Sequence, residues 1–267
     1  MIVFPNAKIN LGLNIITRRP DGYHNIETCF YPIAFNDVIE ITENDKFEFT
    51  SSGLSIEGDP EKNLVVKAYR LLRHLYVFPD VKIHLHKVIP MGAGLGGGSS
   101  DAAAVLKALA IMFDLHISKD EITELAAKLG ADCAFFIENK PVMAFEKGDK
   151  FKNIHLDLSK YYIVVVHPNI HVGTAEAYAG VKPEYKPIVV DALLNLDFSA
   201  WKDNLKNDFE DSIFEKHPKL AEIKNELYNQ GALYASMSGS GSALYGIFKE
   251  EISLNVFKQY TCWQGRG

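Results

Sequence analysis

Residues 90–104, PMGAGLGGGSSDAAA, hold the densest concentration of potential chemistry in the chain. Glycines at 92, 94, 96, 97 and 98 stand between a strand-like run and an Ala-rich helical one. Backbone without Cβ atoms lets successive N–H groups approach an anion. The following helix adds unpaired N–H groups and the positive end of its dipole. A plain turn needs one or two glycines, and each further one costs about 0.5–1 kcal/mol of chain entropy. The run therefore predicts a phosphate-binding loop made of Pro90, Met91, Gly92, Ala93, Gly94, Leu95, Gly96, Gly97, Gly98, Ser99 and Ser100. Gly92, Gly94 and Gly97 also satisfy GxGxxG. A dinucleotide fold is opposed by the loop's depth in the chain and by the absence of a ribose-binding acid at the end of a following strand. A Walker loop is excluded because no Lys follows the last glycine.

Three further segments carry candidate groups. Residues 7–15, AKINLGLNI, alternate with period two, so they form a strand with Ala7, Ile9, Leu11, Leu13 and Ile15 on one face. Lys8 and Asn10 lie on the other face, which is either a solvated surface or a site. Asp132 follows a helix and precedes an apolar run. The small-residue turn Ser238-Gly239-Ser240-Gly241-Ser242 reads as a hairpin, or as a second loop able to close on the same phosphates. His84 and His86 share a strand face but lack a third ligand at suitable spacing, so no protein metal site is expected.

These groups must be positioned by a mixed order of elements. Arg18–His24 (RRPDGYH) predicts a hairpin connection through its Pro-Asp-Gly turn. Strands are expected around Ile26–Ala34, Val38–Thr42, Phe47–Ser51 and Val81–Ile89, with a helix over Asn63–Leu75. The glycine loop leads into a helix from Ser100 to about Phe113, with Ser99 or Ser100 as its N-cap. A second helix over Ser118–Leu129 carries a Ser118/Glu121 capping box and ends at Gly130. An apolar strand is then expected at Ala134–Ile137. Beyond about Lys150 come a buried strand Tyr161–Val166, a helix from Thr174, and a polar stretch over Trp201–Glu215. A helix Pro218–Asn229, strands Leu233–Met237 and Ala243–Phe248, and a final helix complete the order. The fold class expected is α/β of the α+β type. The division expected is residues 1–150 and 151–267, with a soft boundary.

The 267 residues carry 28 Lys+Arg against 34 Asp+Glu, a net charge of −6. That balance argues against a general nucleic-acid binder, which needs a basic face. The longest strand-like apolar run, YYIVVV, is far below the ~20 residues that span a bilayer. The start MIVFPNAKIN shows no basic leader, no apolar stretch of signal-peptide length and no small-residue cleavage site. Three scattered cysteines, Cys29, Cys133 and Cys262, suggest neither zinc nor a disulfide frame, and so a cytoplasmic protein.

The glycine loop resembles the phosphate-binding motif of the galactokinase, homoserine kinase, mevalonate kinase and phosphomevalonate kinase (GHMP) superfamily. AKINLGLNIITRRPDGYHNIET narrows the resemblance to the 4-diphosphocytidyl-2-C-methyl-D-erythritol kinases. Gly130-Ala131-Asp132, Asn207-Asp208-Phe209-Glu210 and Ser238-Gly239-Ser240-Gly241 extend it over nearly the whole chain. The resemblance implies a two-lobed kinase fold with its active site between the lobes. It also implies transfer of the γ-phosphoryl of ATP, expected with Mg²⁺, to the 2-hydroxyl of the methylerythritol moiety in non-mevalonate isoprenoid synthesis. It makes Lys8 and Asp132 the catalytic pair and residues 90–100 the ATP loop, with Gly239, Ser240 and Gly241 as the second glycine loop. Asn10, Tyr23, His24, Phe30, Thr174 and Tyr178 become the residues of the cytidylyl substrate. No obligate protein partner is implied. A homoserine- or mevalonate-type kinase is the nearest alternative, and a silent nucleotide- or sugar-binding regulator on this fold is the second. The ending TCWQGRG matches nothing in the family pattern.

Overall fold

The computed structural model describes residues 1–181, 183 and 190–267. In chain order the first half runs β1 Ile2–Val3, β2 Asn6–Arg18, β3 His24–Asn36, β4 Val38–Glu43, β5 Glu48–Gly53, α1 Leu64–Leu75, β6 Val81–Lys87, α2 Gly97–Met112, α3 Lys119–Leu129 and α4 Ala131–Glu138. There follow β7 Val142–Glu146, β8 Lys150–Asn153, β9 Tyr162–His167, α5 Thr174–Ala179, α6 Val190–Leu194, α7 Phe198–Asn204, α8 Glu210–Lys216, α9 Pro218–Asn229, β10 Tyr234–Met237, β11 Leu244–Phe248 and β12 Thr261–Arg266. They form two compact units, each assembled from separated segments.

The first unit comprises Met1–Ala7, Asn36–Met91 and Gly96–Asn139. Its sheet has the order β1-β4-β6-β5, antiparallel except for the parallel β5–β6 pair, which α1 connects. Ile39, Ile41, Val81, Ile83 and Leu85 of the sheet pack with Val65, Ala68 and Leu72 of α1 and Ala102, Val105 and Leu109 of α2. Helix α2 is apolar on almost every side because small residues let neighbours surround it.

The second unit comprises Lys8–Phe35, Gly92–Leu95 and Lys140–Gly267. It holds the sheets β2-β3-β7-β8 and β10-β11-β9-β12. Leu13, Ile15 and Ile26 share a core with Val164 and Val166 of β9 and with Phe209, Ile213, Leu220 and Ile223.

Three expectations from the sequence are corrected. Residues 134–137 are helical, inside α4, rather than a strand. A short apolar run buried on several sides does not distinguish the two by periodicity. Asp132 in the first turn suits the helix dipole, and Asn139 at φ 55 closes the helix. Helix α2 begins at Gly97, so its N-cap is Gly96 at φ 71, not a serine. That left-handed position favours glycine, and it brings both serines inside the first turn. The last element is a strand rather than a helix. Residues 254–257 form a single 3₁₀ turn, and β12 then pairs antiparallel with β9, Thr261 opposite His167 and Arg266 opposite Tyr162. The unmatched TCWQGRG is thus a sheet edge, anchored where Trp263 stacks on Phe35 at 5.7 Å.

Candidate active site

The polar face of β2 is not solvated. Lys8 and Asn10 are 4% and 2% exposed in the second unit. The Lys8 ammonium donates to Asn10 Oδ1 at 2.5 Å and lies 4.7 Å from the centre of the Phe30 ring. Asn10 Nδ2 donates to Thr28 Oγ1 at 3.0 Å, and the Thr28 hydroxyl donates to the Gly12 carbonyl. A buried lysine fixed by an amide and an aromatic face is held in one place and orientation.

Two glycine segments meet inside the second unit. The Ser238 hydroxyl donates to the Gly94 carbonyl at 2.8 Å and accepts from Asn10 N at 3.3 Å. Ala243 N donates to the Ala93 carbonyl at 3.1 Å, and Lys8 N to the Leu95 carbonyl at 2.9 Å. A Cβ on Gly94 would overlap the Ser238 carbonyl oxygen, and Gly94 sits at φ +79. Any other residue there would push the two loops apart. Gly239, Ser240 and Gly241 follow Ser238 in this turn.

The rest of the glycine segment belongs to the first unit, where Gly96–Ser100 open α2 with no side-chain cap on its first turn. Beneath it, the buried Lys87 ammonium bridges Asp37 Oδ2 and Asp101 Oδ2, the latter at 2.8 Å. Asp37 Oδ1 accepts from Val88 N and Ile89 N, at 2.5 and 2.8 Å. Burial, reinforced by the Asp37 charge and opposed by Lys87, pushes the Asp101 carboxyl up to about 7. A Cβ on Gly97 would come 3.0 Å from Lys87 Nζ. The ionic cluster therefore ties residues 87–89 before the loop to α2 after it. Asp132 stands in the first turn of α4. The neighbouring Cys133 lies near Ser99 of α2's first turn, and α4 packs against α2 within this unit.

A cavity of about 260 Å³ opens in the first unit, lined by Phe49, Ile56, Pro60, Asn63 and Met91 among others. Of these, the sequence marks only Met91 as a site residue. The remaining lining comes from a strand edge and a connecting segment with no motif of their own.

Of the six substrate candidates, all in the second unit, His24 and Tyr178 are brought together as stacked rings 4.7 Å apart. Tyr178 also meets Phe209 edge-on at 4.9 Å. Burial, with a smaller contribution from the Arg18 charge, lowers the His24 pKa and favours the neutral ring. Tyr23 is 62% exposed, with the Lys147 ammonium 5.3 Å from its ring centre. Thr174 opens α5, one turn before Tyr178. Phe30 is buried at 2% exposure under Lys8, and Asn10 sits beside it in the Lys8 network. Among the described residues no group of three or more His, Cys, Asp or Glu could hold a metal ion.

Residues 63–140 match the GHMP kinases N terminal domain, and residues 189–260 the GHMP kinases C terminal family. A 4-diphosphocytidyl-2-C-methyl-D-erythritol kinase of Bacteroides fragilis is 50% identical over 270 residues, covering 99% of this chain and 98% of its own. The enzyme of the same name from Cytophaga hutchinsonii is 53% identical over 249 residues, covering 93% and 92%. The chain belongs to the 4-diphosphocytidyl-2-C-methyl-D-erythritol kinase family. A crystal structure of a 4-(cytidine 5'-diphospho)-2C-methyl-D-erythritol kinase superposes with a TM-score of 0.86 at 32% identity, covering 100% and 98% of the two chains. The mevalonate kinase of Methanococcus jannaschii superposes at 0.72 with 18% identity, covering 100% and 97%; this likeness is one of fold. The chain is thus a GHMP-fold kinase of this family. No helix among the described residues is long and apolar enough to cross a membrane.

Proposed function

We propose that this kinase phosphorylates the 2-hydroxyl of 4-diphosphocytidyl-2-C-methyl-D-erythritol with MgATP, in non-mevalonate isoprenoid synthesis. The observation that carries the reading is 50% identity over essentially the full length of a kinase bearing that substrate's name. The glycine segment and the uncapped first turn of α2 suit the nucleotide's phosphates, and the cavity beside Met91 suits its flat base. Mg²⁺ enters as part of the co-substrate, held mainly by phosphate oxygens and water. The second glycine loop joins the first around the phosphates.

Phosphoryl transfer rests mostly on positioning and charge stabilisation. The substrate's 2-hydroxyl oxygen forms the new bond to the γ-phosphorus as the bond to the ADP oxygen breaks. The hydroxyl proton passes late to the Asp132 carboxylate, while Lys8 offsets charge on the transferring group. Neutral His24 offers one donor and one acceptor to the cytosine edge, Tyr23 and Tyr178 supply aromatic surface near it, and Phe30 stands behind them beneath Lys8. Asn10 and Thr174 complete the substrate's polar contacts.

ADP release by the purified protein, measured with the cytidylyl substrate, homoserine and mevalonate, tests the reading. Turnover with the first alone is expected. Turnover only with homoserine or mevalonate overturns it, and ATP binding without turnover favours a regulator. Lys8→Ala and Asp132→Ala should each lower kcat by about 100-fold or more with the fold intact. A folded Asp132→Ala with wild-type kcat removes that residue from the mechanism.

A further inference from the structure

The motif Asn207-Asp208-Phe209-Glu210 has no role in the reaction as written, yet Asn207 is 3% and Glu210 7% exposed. The Asn207 amide nitrogen spends both its hydrogens on the second glycine loop. It donates to the Met237 carbonyl at 2.7 Å and to the Gly239 carbonyl at 2.8 Å. Its oxygen accepts from Phe209 N at 3.0 Å. Two donors diverging from one short side chain call for Asn: Asp and Ser lack the second hydrogen. Glu210 holds the strand entering the same loop. Its Oε1 accepts from Met237 N at 2.8 Å and Ser236 Oγ at 3.0 Å, while Oε2 pairs with Lys224 at 2.5 Å.

The motif is fixed on its other side to β2. Leu13 N donates to the Lys206 carbonyl at 2.8 Å, and Asp208 N to the Leu13 carbonyl at 2.9 Å. Asp208 Oδ2 accepts from Ile15 N at 2.8 Å. One strand thus carries Lys8 and Asn10 and, a few residues on at Leu13 and Ile15, the bonds to the motif. From Asn207 a continuous polar chain runs through the Gly239 backbone to Ser238, from Ser238 to Asn10 and Gly94, and from Asn10 to Lys8.

We infer that Asn207 is a positioning residue for the phosphoryl-transfer site, setting the second glycine loop so that Ser238 holds Asn10 and Gly94 in register with Lys8, and that Glu210 fixes the strand feeding that loop. This rests on the kinase reading above. Misplacement of catalytic groups by about 1 Å can cost about 100-fold in rate. Asn207→Asp keeps the shape but points an oxygen at two carbonyl oxygens. Its kcat with MgATP and the cytidylyl substrate should fall about 100-fold, with both KM values little changed, and its melting temperature should fall as well because two buried carbonyls lose their donor. Tyr228→Phe is the control. It removes a bond to the Ala235 carbonyl on β10, upstream of the loop, and should lower melting without touching kcat. Wild-type kcat in folded Asn207→Asp, or an equal loss in Tyr228→Phe, overturns the inference. Should Asn207→Asp not fold, Ser238→Ala cuts the chain at its middle link. It must show the same kcat loss, and wild-type turnover there overturns the inference equally. Amide exchange reads the clamp without any acceptor substrate. Protection over residues 238–242 should drop in Asn207→Asp and stay in Tyr228→Phe, and unchanged protection refutes it. If the wild type fails to turn over the cytidylyl substrate, the kinase reading falls while the exchange result still decides the clamp.

Discussion

Each unit supports a glycine segment on buried polar side chains, but by different chemistry. Under Gly96–Ser100 the support is ionic: Lys87 held between Asp37 and Asp101. Under Gly239 it is chiefly an uncharged amide, Asn207, bonding backbone carbonyls. An ionic support stabilises only while every partner remains, because removing one leaves buried charge uncompensated. An amide support loses its hydrogen bonds and little more. The first unit's anchor is therefore expected to govern stability, and the second unit's to govern geometry.

The largest effect should come from Lys87→Met. Breaking a buried ion pair by removing one partner costs roughly 3–5 kcal/mol. Here Asp37 and Asp101 would both lose their cation. Urea unfolding should show this loss, whereas Asn207→Ala should cost about 1–3 kcal/mol. Equal losses would abolish the distinction between the two supports.

The glycines above the supports differ in the same sense. At Gly94 a Cβ meets backbone, the Ser238 carbonyl, and the φ of +79 adds about 1–2 kcal/mol of strain. At Gly97 it meets the side chains of Ile89 and Lys87, at 2.9 and 3.0 Å, which have some freedom to shift. Gly94→Ala should raise the KM for ATP about tenfold or more, the equivalent of about 1.4 kcal/mol. Gly97→Ala should raise it less. The reverse order would show that the ionic support, not the loop-to-loop contact, governs the KM for ATP.

The contrast also explains what could be read in the sequence. The strand under Lys8 and Asn10 was legible because strict alternation reports a pleat, and the glycine loop because its composition is too costly for a turn. Asp37, Lys87 and Asp101 were not, since they are scattered residues that only the fold joins. Asn207 and Glu210 were visible as a motif but not as a clamp, because their targets are backbone atoms some thirty residues on, and backbone atoms leave no trace in residue types. The helix over residues 131–138 was misread where an apolar run was too short to show a period. The burial of β2's polar face depends on tertiary packing, which alternation alone does not report.

One further effect, a pH slope, is one that only the ionic support should produce. Burial pushes the Asp101 carboxyl up to about 7, and the Asp37 charge adds to this against the pull of Lys87. The ordinary carboxylate pKa is about 3.9. Between those values the folded protein holds a proton that the unfolded chain has released. The folded state binds more protons, so this group's contribution is fully present below about pH 4 and declines as pH rises towards 7. Asp101→Asn removes the titrating carboxyl, whereas the Asn207 amide has no proton to exchange in this range. The difference in unfolding free energy between wild type and Asp101→Asn should therefore fall steadily from about pH 4 to about pH 7. Asn207→Ala should leave the wild-type slope intact. A difference that stays flat, or rises with pH, would mean that the carboxyl is ionised throughout and that Lys87 overrides its burial.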